Sequence, residues 1–206
     1  MNLQLALDRL SKEECRHILA ETKNAVDWIE IGTGVIKEYG MEIIREIKKD
    51  YPEKTIVADM KTCDAAAHET RQALEAGADI TTVMAFSDDN SIRTALETAE
   101  ELNGRVMIDL LNAPEERIAE LDGLGVRLVS LHIGKDQQGS RSISGDIFKP
   151  LAPYPHMKAA VAGGISLDSI PLLRPHQPEA VIVGSAITGV QHPKKAAEKI
   201  KEAFSE

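Results

Sequence analysis

The residues best suited to chemistry lie in one short segment, Asp59-Met60-Lys61-Thr62-Cys63-Asp64, directly after the apolar run Ile56-Val57-Ala58. Side chains alternate along a strand, so Asp59 and Lys61 are predicted to share a side, while Asp64 falls past the strand, where the chain turns into a helix. Two carboxylates and an ammonium would then meet in one place. Such charges are costly to desolvate at the end of a buried strand unless they pair or bind a ligand, so the spacing indicates a site.

The elements that must position this segment are predicted to be strands and helices in strict alternation. Candidate strands end near Asp8, Glu30, Asp59, Val83, Asp109, His132, Ala162 and Val183. The segments between them carry helical periodicity, and Gly77, Gly104 and Gly125 stand where a left-handed helix cap would lead into the next strand. Eight such units predict a (β/α)8 TIM barrel as a single domain over residues 1–206. An open doubly wound sheet is the weaker alternative, because no glycine fingerprint follows the first strand.

A barrel brings the carboxyl ends of its strands to one mouth, where enzymes of this fold keep their chemistry. The ionisable residues predicted to lie there are Asp8, Glu30, Asp59, Lys61, Asp109 and His132. Taken singly, an aspartate at a strand end is often a helix cap and a histidine is often structural. Taken together with Asp64, the five carboxylates would repel one another unless a cation shared the space. An oxygen-rich site without thiolate pairs suits Mg²⁺, and Glu30 and Asp59 are the predicted ligands.

Glycines follow the last two predicted strands, Gly163-Gly164 after the seventh and Gly184-Ser185 after the eighth. Backbone N–H groups can approach an anion closely at glycines, and the usual phosphate site of a barrel lies after these strands. We therefore predict that Gly163, Gly164, Gly184 and Ser185 bind a phosphate through backbone dipoles. Two tight turns without a ligand are the alternative interpretation.

Composition excludes several classes of function. The chain of 206 residues has a net charge of −9 and lacks the clustered Lys and Arg that nucleic-acid binding requires. It has no apolar run long enough to span a membrane and no room for a signal peptide before the first strand, so a cytoplasmic protein is expected. The two cysteines, Cys15 and Cys63, form neither a disulfide framework nor a zinc site. Cys63 as a nucleophile is a weaker hypothesis, since no helper residues are visible beside it.

Beyond single residues, the sequence resembles the family of 3-hexulose-6-phosphate synthases, within the orotidine monophosphate decarboxylase superfamily. The resemblance extends over essentially the whole chain and includes both glycine loops. Its strongest motifs are Leu5-Ala6-Leu7-Asp8, Ile29-Glu30-Ile31-Gly32-Thr33, Val57-Ala58-Asp59-Met60-Lys61-Thr62-Cys63-Asp64-Ala65, Met107-Ile108-Asp109-Leu110 and His132-Ile133-Gly134-Lys135-Asp136-Gln137-Gln138.

The resemblance implies an aldol addition of formaldehyde to ribulose 5-phosphate that passes through an enediolate and requires Mg²⁺, or Mn²⁺ in its place. Lys61 would neutralise the developing charge, His132 would transfer the proton, and Asp109 would orient substrate or formaldehyde. In this superfamily the last aspartate of the motif comes from a neighbouring subunit, so Asp64 implies a homodimer with shared active sites.

Two other functions stay open at this stage. A 3-keto-L-gulonate-6-phosphate decarboxylase would share the metal site, but those relatives typically carry Glu on strand five and Arg three residues after the histidine, where this chain has Asp109 and Lys135. A non-catalytic barrel that binds a sugar phosphate as a regulator is the second alternative. The Ser- and Gly-rich loop 139–145 is either a mobile lid or a plain surface loop.

Overall fold

The computed structural model describes residues 1–137 and 143–205. Eight strands pair in parallel, each with the next, and β8 pairs with β1, which closes a barrel. The strands are β1 (Asn2–Leu7), β2 (Trp28–Ile31), β3 (Thr55–Thr62), β4 (Ile80–Met84), β5 (Arg105–Asp109), β6 (Leu128–His132), β7 (Lys158–Ala162) and β8 (Ala180–Val183). The predicted (β/α)8 barrel is confirmed, and the open doubly wound sheet is excluded.

Helices follow the strands and cover the outside of the barrel. The α-helices are α1 (Lys12–Thr22), α2 (Thr33–Tyr39), α3 (Glu42–Asp50), α4 (Ala66–Glu75), α5 (Asp89–Glu101), α6 (Arg117–Gly123), α7 (Ile170–Leu173), α8 (Ser185–Thr188) and α9 (Pro193–Glu202). Short 3₁₀ segments cover Lys135–Gln137, Gly145–Leu151, Leu167–Ser169 and Arg174–His176. The loop 139–145 is described only from residue 143 onward, so the lid hypothesis falls largely outside the described residues. Within the described residues no helix combines the length and apolarity needed to cross a membrane.

Two separate apolar clusters account for the core. The larger one joins the outward faces of the strands to the buried faces of the helices. The smaller one fills the barrel interior and contains Ala6, Trp28, Val57, Ile80, Met107, Leu128, Ala160, Ala162, Ala180 and Ile182. Inward-facing positions recur every second residue along a strand. The interior therefore has an apolar lower layer and, two residues further along each strand, an upper layer of different composition.

That upper layer is largely polar and lies toward the carboxyl ends of the strands. Two residues after Trp28, Val57, Ile80, Met107 and Leu128 the inward positions hold Glu30, Asp59, Thr82, Asp109 and Ser130, all of them buried. Apolar side chains thus form the lower layer, and polar groups are gathered directly above it.

The predicted strand ends agree with the structure to within one residue, with one exception. Strand β3 continues three residues beyond Asp59, to Thr62, because its register with β4 shifts between Ala58 and Thr62. Four steps along β3 are matched there by two steps along β4, from Thr81 to Val83. A bulge of this kind bends a strand and redirects its side chains.

Two of the three predicted glycine caps are confirmed. Gly77 and Gly125 have positive φ values of 106° and 87°. The prediction for Gly104 is wrong, because Asn103 takes the left-handed position before it, at φ 55°. Gly104 instead packs against Leu74, whose Cδ1 would lie 2.6 Å from an added Cβ.

Charges at the amino end of the barrel, by contrast with the mouth, are satisfied by one another and by the backbone. The Asp79 carboxylate accepts hydrogen bonds from the Ile56 amide at 2.7 Å and from Lys48 Nζ at 2.8 Å. Asp27 accepts from the Leu3 amide at 2.7 Å, and Arg105 pairs with Glu179 at 2.7 Å. This end of the barrel is therefore built for stability.

Candidate active site

A cavity of about 680 Å³ opens at the carboxyl ends of the strands. It is lined by six of the predicted ionisable residues and by all four predicted phosphate-binding residues. These are Asp8, Glu30, Asp59, Lys61, Asp109, His132, Gly163, Gly164, Gly184 and Ser185. The barrel thus brings together residues spread over most of the sequence.

Lys61 occupies the centre of the polar network in this cavity. Its ammonium donates to Asp109 Oδ2 at 2.7 Å and to Asp59 Oδ1 at 3.1 Å. Both carboxylates are buried, whereas about a quarter of the lysine side chain remains exposed to the cavity. Burial disfavours the ammonium, but the charges and hydrogen bonds of Asp59 and Asp109 outweigh it and raise the pKa of Lys61. Lys61 is therefore a fixed positive charge at neutral pH.

Asp109 connects the lysine to the histidine. His132 Nδ1 lies 3.0 Å from Asp109 Oδ2 and 3.2 Å from Oδ1. Burial favours the neutral acid, but the hydrogen bonds and the positive charges of His132 and Lys61 outweigh it and lower the pKa of Asp109 to about 2. An ionised carboxylate against Nδ1 orients the imidazole ring and fixes which nitrogen carries a proton.

Glu30 lies beside this network and forms no salt bridge within the part of the chain that the structure describes. Its Oε2 accepts a hydrogen bond from Gln4 Nε2, and its side chain is buried. Burial first, then repulsion by Asp59 and Asp8, raise the pKa of Glu30 well above its ordinary range. A buried carboxylate facing two further carboxylates is the arrangement that a bound cation would relieve.

Asp8 lies at the rim of the cavity, directly over Gly32. A Cβ added at Gly32 would lie 2.0 Å from Asp8 Oδ1 and 2.7 Å from the Leu7 carbonyl oxygen, so a larger residue would displace this carboxylate and crowd the backbone. Partial burial and repulsion by Asp59 raise the pKa of Asp8. Three acids of the mouth, Asp8, Glu30 and Asp59, therefore influence one another.

The donor set is compatible with a divalent cation that has few protein ligands. Within residues 1–137 and 143–205 no group of three or more His, Cys, Asp or Glu side chains is arranged to hold a metal ion. Mg²⁺, however, is commonly held by one or two carboxylates, with water or substrate oxygens completing its shell. Glu30 and Asp59 supply two carboxylates of this kind.

Asp64 is the one predicted site residue that a single chain does not bring to the cavity. Its exposed side chain accepts a hydrogen bond from the Ala65 amide at 2.8 Å, and it is not a lining residue. The expected cluster of Asp59, Lys61 and Asp64 is therefore wrong for one chain, and Asp109 provides the second partner of Lys61. The left-handed turn at Ala65, with φ 50°, follows directly and leads into α4.

The two cysteines take no part in the site as described. Cys15 is buried in the core, and burial raises the pKa of its thiol to about 11. Cys63 is exposed and lies outside the cavity lining. The structure therefore offers no support for a nucleophilic Cys63.

The glycine loops form one side of the cavity. Gly163 and Gly164 both have positive φ, and a Cβ added at Gly163 would lie 2.2 Å from the Ile133 carbonyl oxygen. Gly184 precedes Ser185, the first residue of α8. Position 163 therefore requires glycine, because its backbone is left-handed and the Ile133 carbonyl oxygen leaves no room for a side chain.

Sequence reasoning missed several residues that the structure places in the cavity. The polar ones include Gln4, Arg9, Thr33 and Thr82. Gln4 and Thr82 could have been found from the alternation, since both occupy inward positions of their strands. Thr33 Oγ1 lies 2.8 Å from Asp59 Oδ2, a contact between the first residue of α2 and β3 that has no signal in the local sequence. Arg9 follows Asp8 in a left-handed conformation, with φ 53°.

Comparisons with known proteins agree with this geometry. The model of the orotidine 5'-phosphate decarboxylase / HUMPS family matches residues 1–200. The chain is 36% identical over 205 residues to a Bacillus subtilis protein named 3-hexulose-6-phosphate synthase, with 98% of each chain covered. The crystal structure of 3-hexulose-6-phosphate synthase from Salmonella typhimurium has a TM-score of 0.96 at 34% identity, covering 100% of this chain and 99% of that one. A 3-keto-L-gulonate-6-phosphate decarboxylase from Vibrio cholerae has a TM-score of 0.88 at 26% identity, covering 99% and 97%.

The fold and the cavity together define a (β/α)8-barrel enzyme whose candidate active site combines buried carboxylates with Lys61 and His132. The match of the family model over residues 1–200 places the chain within that class. The chain belongs to the orotidine 5'-phosphate decarboxylase / HUMPS family, and its named relatives at 36% and 34% identity are 3-hexulose-6-phosphate synthases.

Replacing Glu30 by glutamine is expected to stabilise the protein when no divalent cation is present. The folded pKa of Glu30 is raised above its ordinary value of 4.5, so protonated Glu30 contributes stability that is fully present below that value. That stability is lost as the pH rises through the raised folded pKa. In thermal unfolding with EDTA, the Tm of the Glu30→Gln variant should exceed that of wild type at about pH 8. The difference in Tm should shrink toward about pH 5. Each kcal/mol gained raises Tm by about 2–4 °C.

The matched control is Glu97→Gln, which neutralises an exposed carboxylate on α5 and should leave Tm unchanged at both pH values. A fall in Tm for Glu30→Gln at the higher pH would show that the Glu30 carboxylate is already compensated without a cation.

Proposed function

We propose that this chain catalyses the aldol addition of formaldehyde to ribulose 5-phosphate, giving a 3-hexulose 6-phosphate. The observation that carries the proposal is the network of Lys61, Asp59, Asp109 and His132 in the same cavity as Glu30 and the two glycine loops. Full-length similarity to proteins named 3-hexulose-6-phosphate synthase supports the same assignment.

The proposed reaction needs a base, a charge stabiliser and an anchor for the sugar. His132 would take a proton from the carbon next to the ketone, which leaves an enediolate. That carbon attacks the carbonyl carbon of formaldehyde, a carbon–carbon bond forms, and the formaldehyde oxygen takes the proton back from the imidazolium. Lys61, held protonated by two carboxylates, lies where negative charge develops, in a partly desolvated site where its charge is poorly screened.

We assign Asp109 a supporting role in place of the predicted contact with substrate or formaldehyde. Its carboxylate already contacts both His132 Nδ1 and the Lys61 ammonium. In that position it keeps the imidazole oriented for proton transfer and stabilises the imidazolium that forms.

Mg²⁺, or Mn²⁺ in its place, is proposed as the cofactor, with Glu30 and Asp59 as its protein ligands. Such an ion would act as a Lewis acid on the substrate oxygens. The fit rests on the repulsion among Glu30, Asp59 and Asp8 and on the oxygen-only donor set. Asp8 at the rim lies close enough to influence Asp59 electrostatically, so it is proposed to contact substrate hydroxyls or bound water.

The phosphate of the sugar is proposed to lie against Gly163, Gly164, Gly184 and Ser185. These four residues line the side of the cavity formed by β7 and β8, and their backbone N–H groups would bind the anion. Arg9 lines the same cavity from the loop after β1, and β1 neighbours β8 in the barrel. A cation at this position would add to the attraction for a phosphate, so binding need not depend on backbone dipoles alone.

A direct assay tests the proposal. Purified protein supplied with Mg²⁺, ribulose 5-phosphate and formaldehyde should consume formaldehyde, and EDTA should abolish the reaction. Release of CO₂ from 3-keto-L-gulonate 6-phosphate, with no loss of formaldehyde, would instead indicate the decarboxylase. Binding of ribulose 5-phosphate with neither reaction would indicate a sugar-phosphate-binding regulator.

Lys61→Ala is expected to reduce kcat by about 10²–10³-fold, because it removes the charge placed against the developing enediolate. Circular dichroism should show an intact fold, since the lysine lies at the cavity and outside both apolar clusters. Lys37→Ala, on the exposed face of α2, is the matched control and should retain wild-type kcat. Retention of turnover by Lys61→Ala would remove Lys61 from the proposed mechanism.

We further propose a homodimer in which Asp64 completes the active site of the partner. The family resemblance implies this sharing, and the geometry of one chain supports it, because Asp64 belongs to the same short motif as Lys61 yet stays outside the cavity.

A mixed dimer made from Asp64→Ala and Lys61→Ala chains tests site sharing. If Asp64 acts across the interface, one site of the mixed dimer combines two intact residues and the other carries both lesions. Activity per dimer should therefore return to about half of the wild-type value, while each parental homodimer stays inactive. A mixed dimer as inactive as its parents would show that Lys61 and Asp64 must come from the same chain.

A further inference from the structure

The hydroxyl of Thr82 links the two ends of the catalytic lysine. Thr82 is a buried residue of β4, with 4% of its surface exposed. Its Oγ1 accepts a hydrogen bond from the Lys61 backbone amide at 2.9 Å and donates one to Asp59 Oδ1 at 2.9 Å. Asp59 Oδ1 in turn accepts from the ammonium of Lys61 at 3.1 Å. Amide, hydroxyl, carboxylate and ammonium thus form a closed ring that begins and ends on Lys61.

The backbone at Lys61 needs such support. Lys61 has a φ of 50°, in the left-handed region that is strained for a residue with a side chain. It also lies inside the β3 bulge, between the paired positions Ala58 and Thr62, where the regular ladder with β4 is interrupted. An amide at such a position needs a partner other than the ladder, and the Thr82 hydroxyl supplies one.

The conformation of Lys61 has a direct consequence for its side chain. In a regular strand the ammonium would be placed by simple alternation, but here it is placed by the bulge. The same hydroxyl that holds the bulge also holds the carboxylate that receives the ammonium. A hydroxyl is required for both tasks, because a methyl group in its place can neither accept from an amide nor donate to a carboxylate.

We propose that Thr82 is a positioning residue of the reaction centre, which keeps Lys61 in its left-handed conformation and aligns Asp59 to receive its ammonium. This inference rests on the proposed function in one respect, namely that Lys61 stabilises the reacting enediolate.

Thr82→Val tests the proposal, because valine has nearly the shape of threonine and lacks the hydroxyl. Its kcat for formaldehyde consumption should fall by up to about 100-fold, the effect of a misplacement of about 1 Å, while KM for ribulose 5-phosphate stays within about 2-fold. Thr82→Ser restores a hydroxyl and should return kcat to within about 3-fold of wild type.

The neighbouring residue offers a matched control. Thr81 is fully buried on the same strand, but its Oγ1 has no hydrogen-bond partner within the described residues. Thr81→Val should therefore retain wild-type kcat and KM and an equal or higher Tm, because it removes an unsatisfied buried hydroxyl. If Thr81→Val and Thr82→Val reduced kcat equally, the loss would come from a general effect on β4, and the proposal would be overturned.

Crystal structures of the variants give a readout that does not depend on activity. Lys61 should keep a positive φ in Thr82→Ser and leave the left-handed region in Thr82→Val, with its contact to Asp59 lengthened. An unchanged Lys61 in Thr82→Val, or wild-type kcat for that variant, would overturn the proposal. If Thr82→Val does not fold, the Thr82→Ser variant tests the proposal instead. A loss of kcat in Thr82→Ser at an unchanged Tm would contradict a role for the hydroxyl.

The two proposals fail in different ways. Wild-type protein that consumes no formaldehyde would refute the proposed function, whereas the backbone of Lys61 in the variant structures would still decide the role of Thr82. Active wild-type protein together with an unaffected Thr82→Val variant would refute only the positioning role.

Discussion

The polar network of the candidate active site depends on one shared ammonium. Lys61 donates to two buried carboxylates, Asp59 on its own strand and Asp109 two strands away, and Asp109 also contacts His132. Without the lysine these acids would face one another in a partly desolvated space, where like charges repel strongly. With it, a chain of alternating charge extends from β3 through β5 to β6. The shared ammonium therefore favours ionised carboxylates and places a cation at the cavity.

Two layers inside one barrel separate stability from chemistry. The apolar layer formed by side chains such as Trp28, Val57 and Met107 excludes water, and the layer two residues higher carries the polar groups. Rigid strands can hold charged groups in strained positions, because the surrounding apolar packing stabilises the fold as a whole. The bulge in β3 illustrates this division, since it begins directly after the fully buried Ala58 and ends at the buried Thr62.

Not every charge at the mouth is compensated. Glu30 has a hydrogen bond from Gln4 but faces Asp59 and Asp8, and its pKa is raised as a result. Acids that destabilise a folded protein are commonly found where a ligand supplies the missing charge. The contrast with the amino end of the barrel, where Asp79 and Asp27 are bonded to backbone amides, locates the uncompensated charge at the cavity.

Local patterns in the sequence were sufficient to predict the barrel and seven of the eight strand ends to within one residue. They also predicted which ionisable residues meet at the mouth, because parallel strands place their carboxyl ends together. These residues are Asp8, Glu30, Asp59, Lys61, Asp109 and His132. The local patterns were insufficient wherever a contact joins different strands. The register shift of β3, the left-handed Lys61 and its pairing with Asp109 in place of Asp64 follow from how β3 packs against β4 and β5. Alternation along a strand is a local property of the backbone, whereas the choice of partner across a barrel depends on distances that only the closed structure determines.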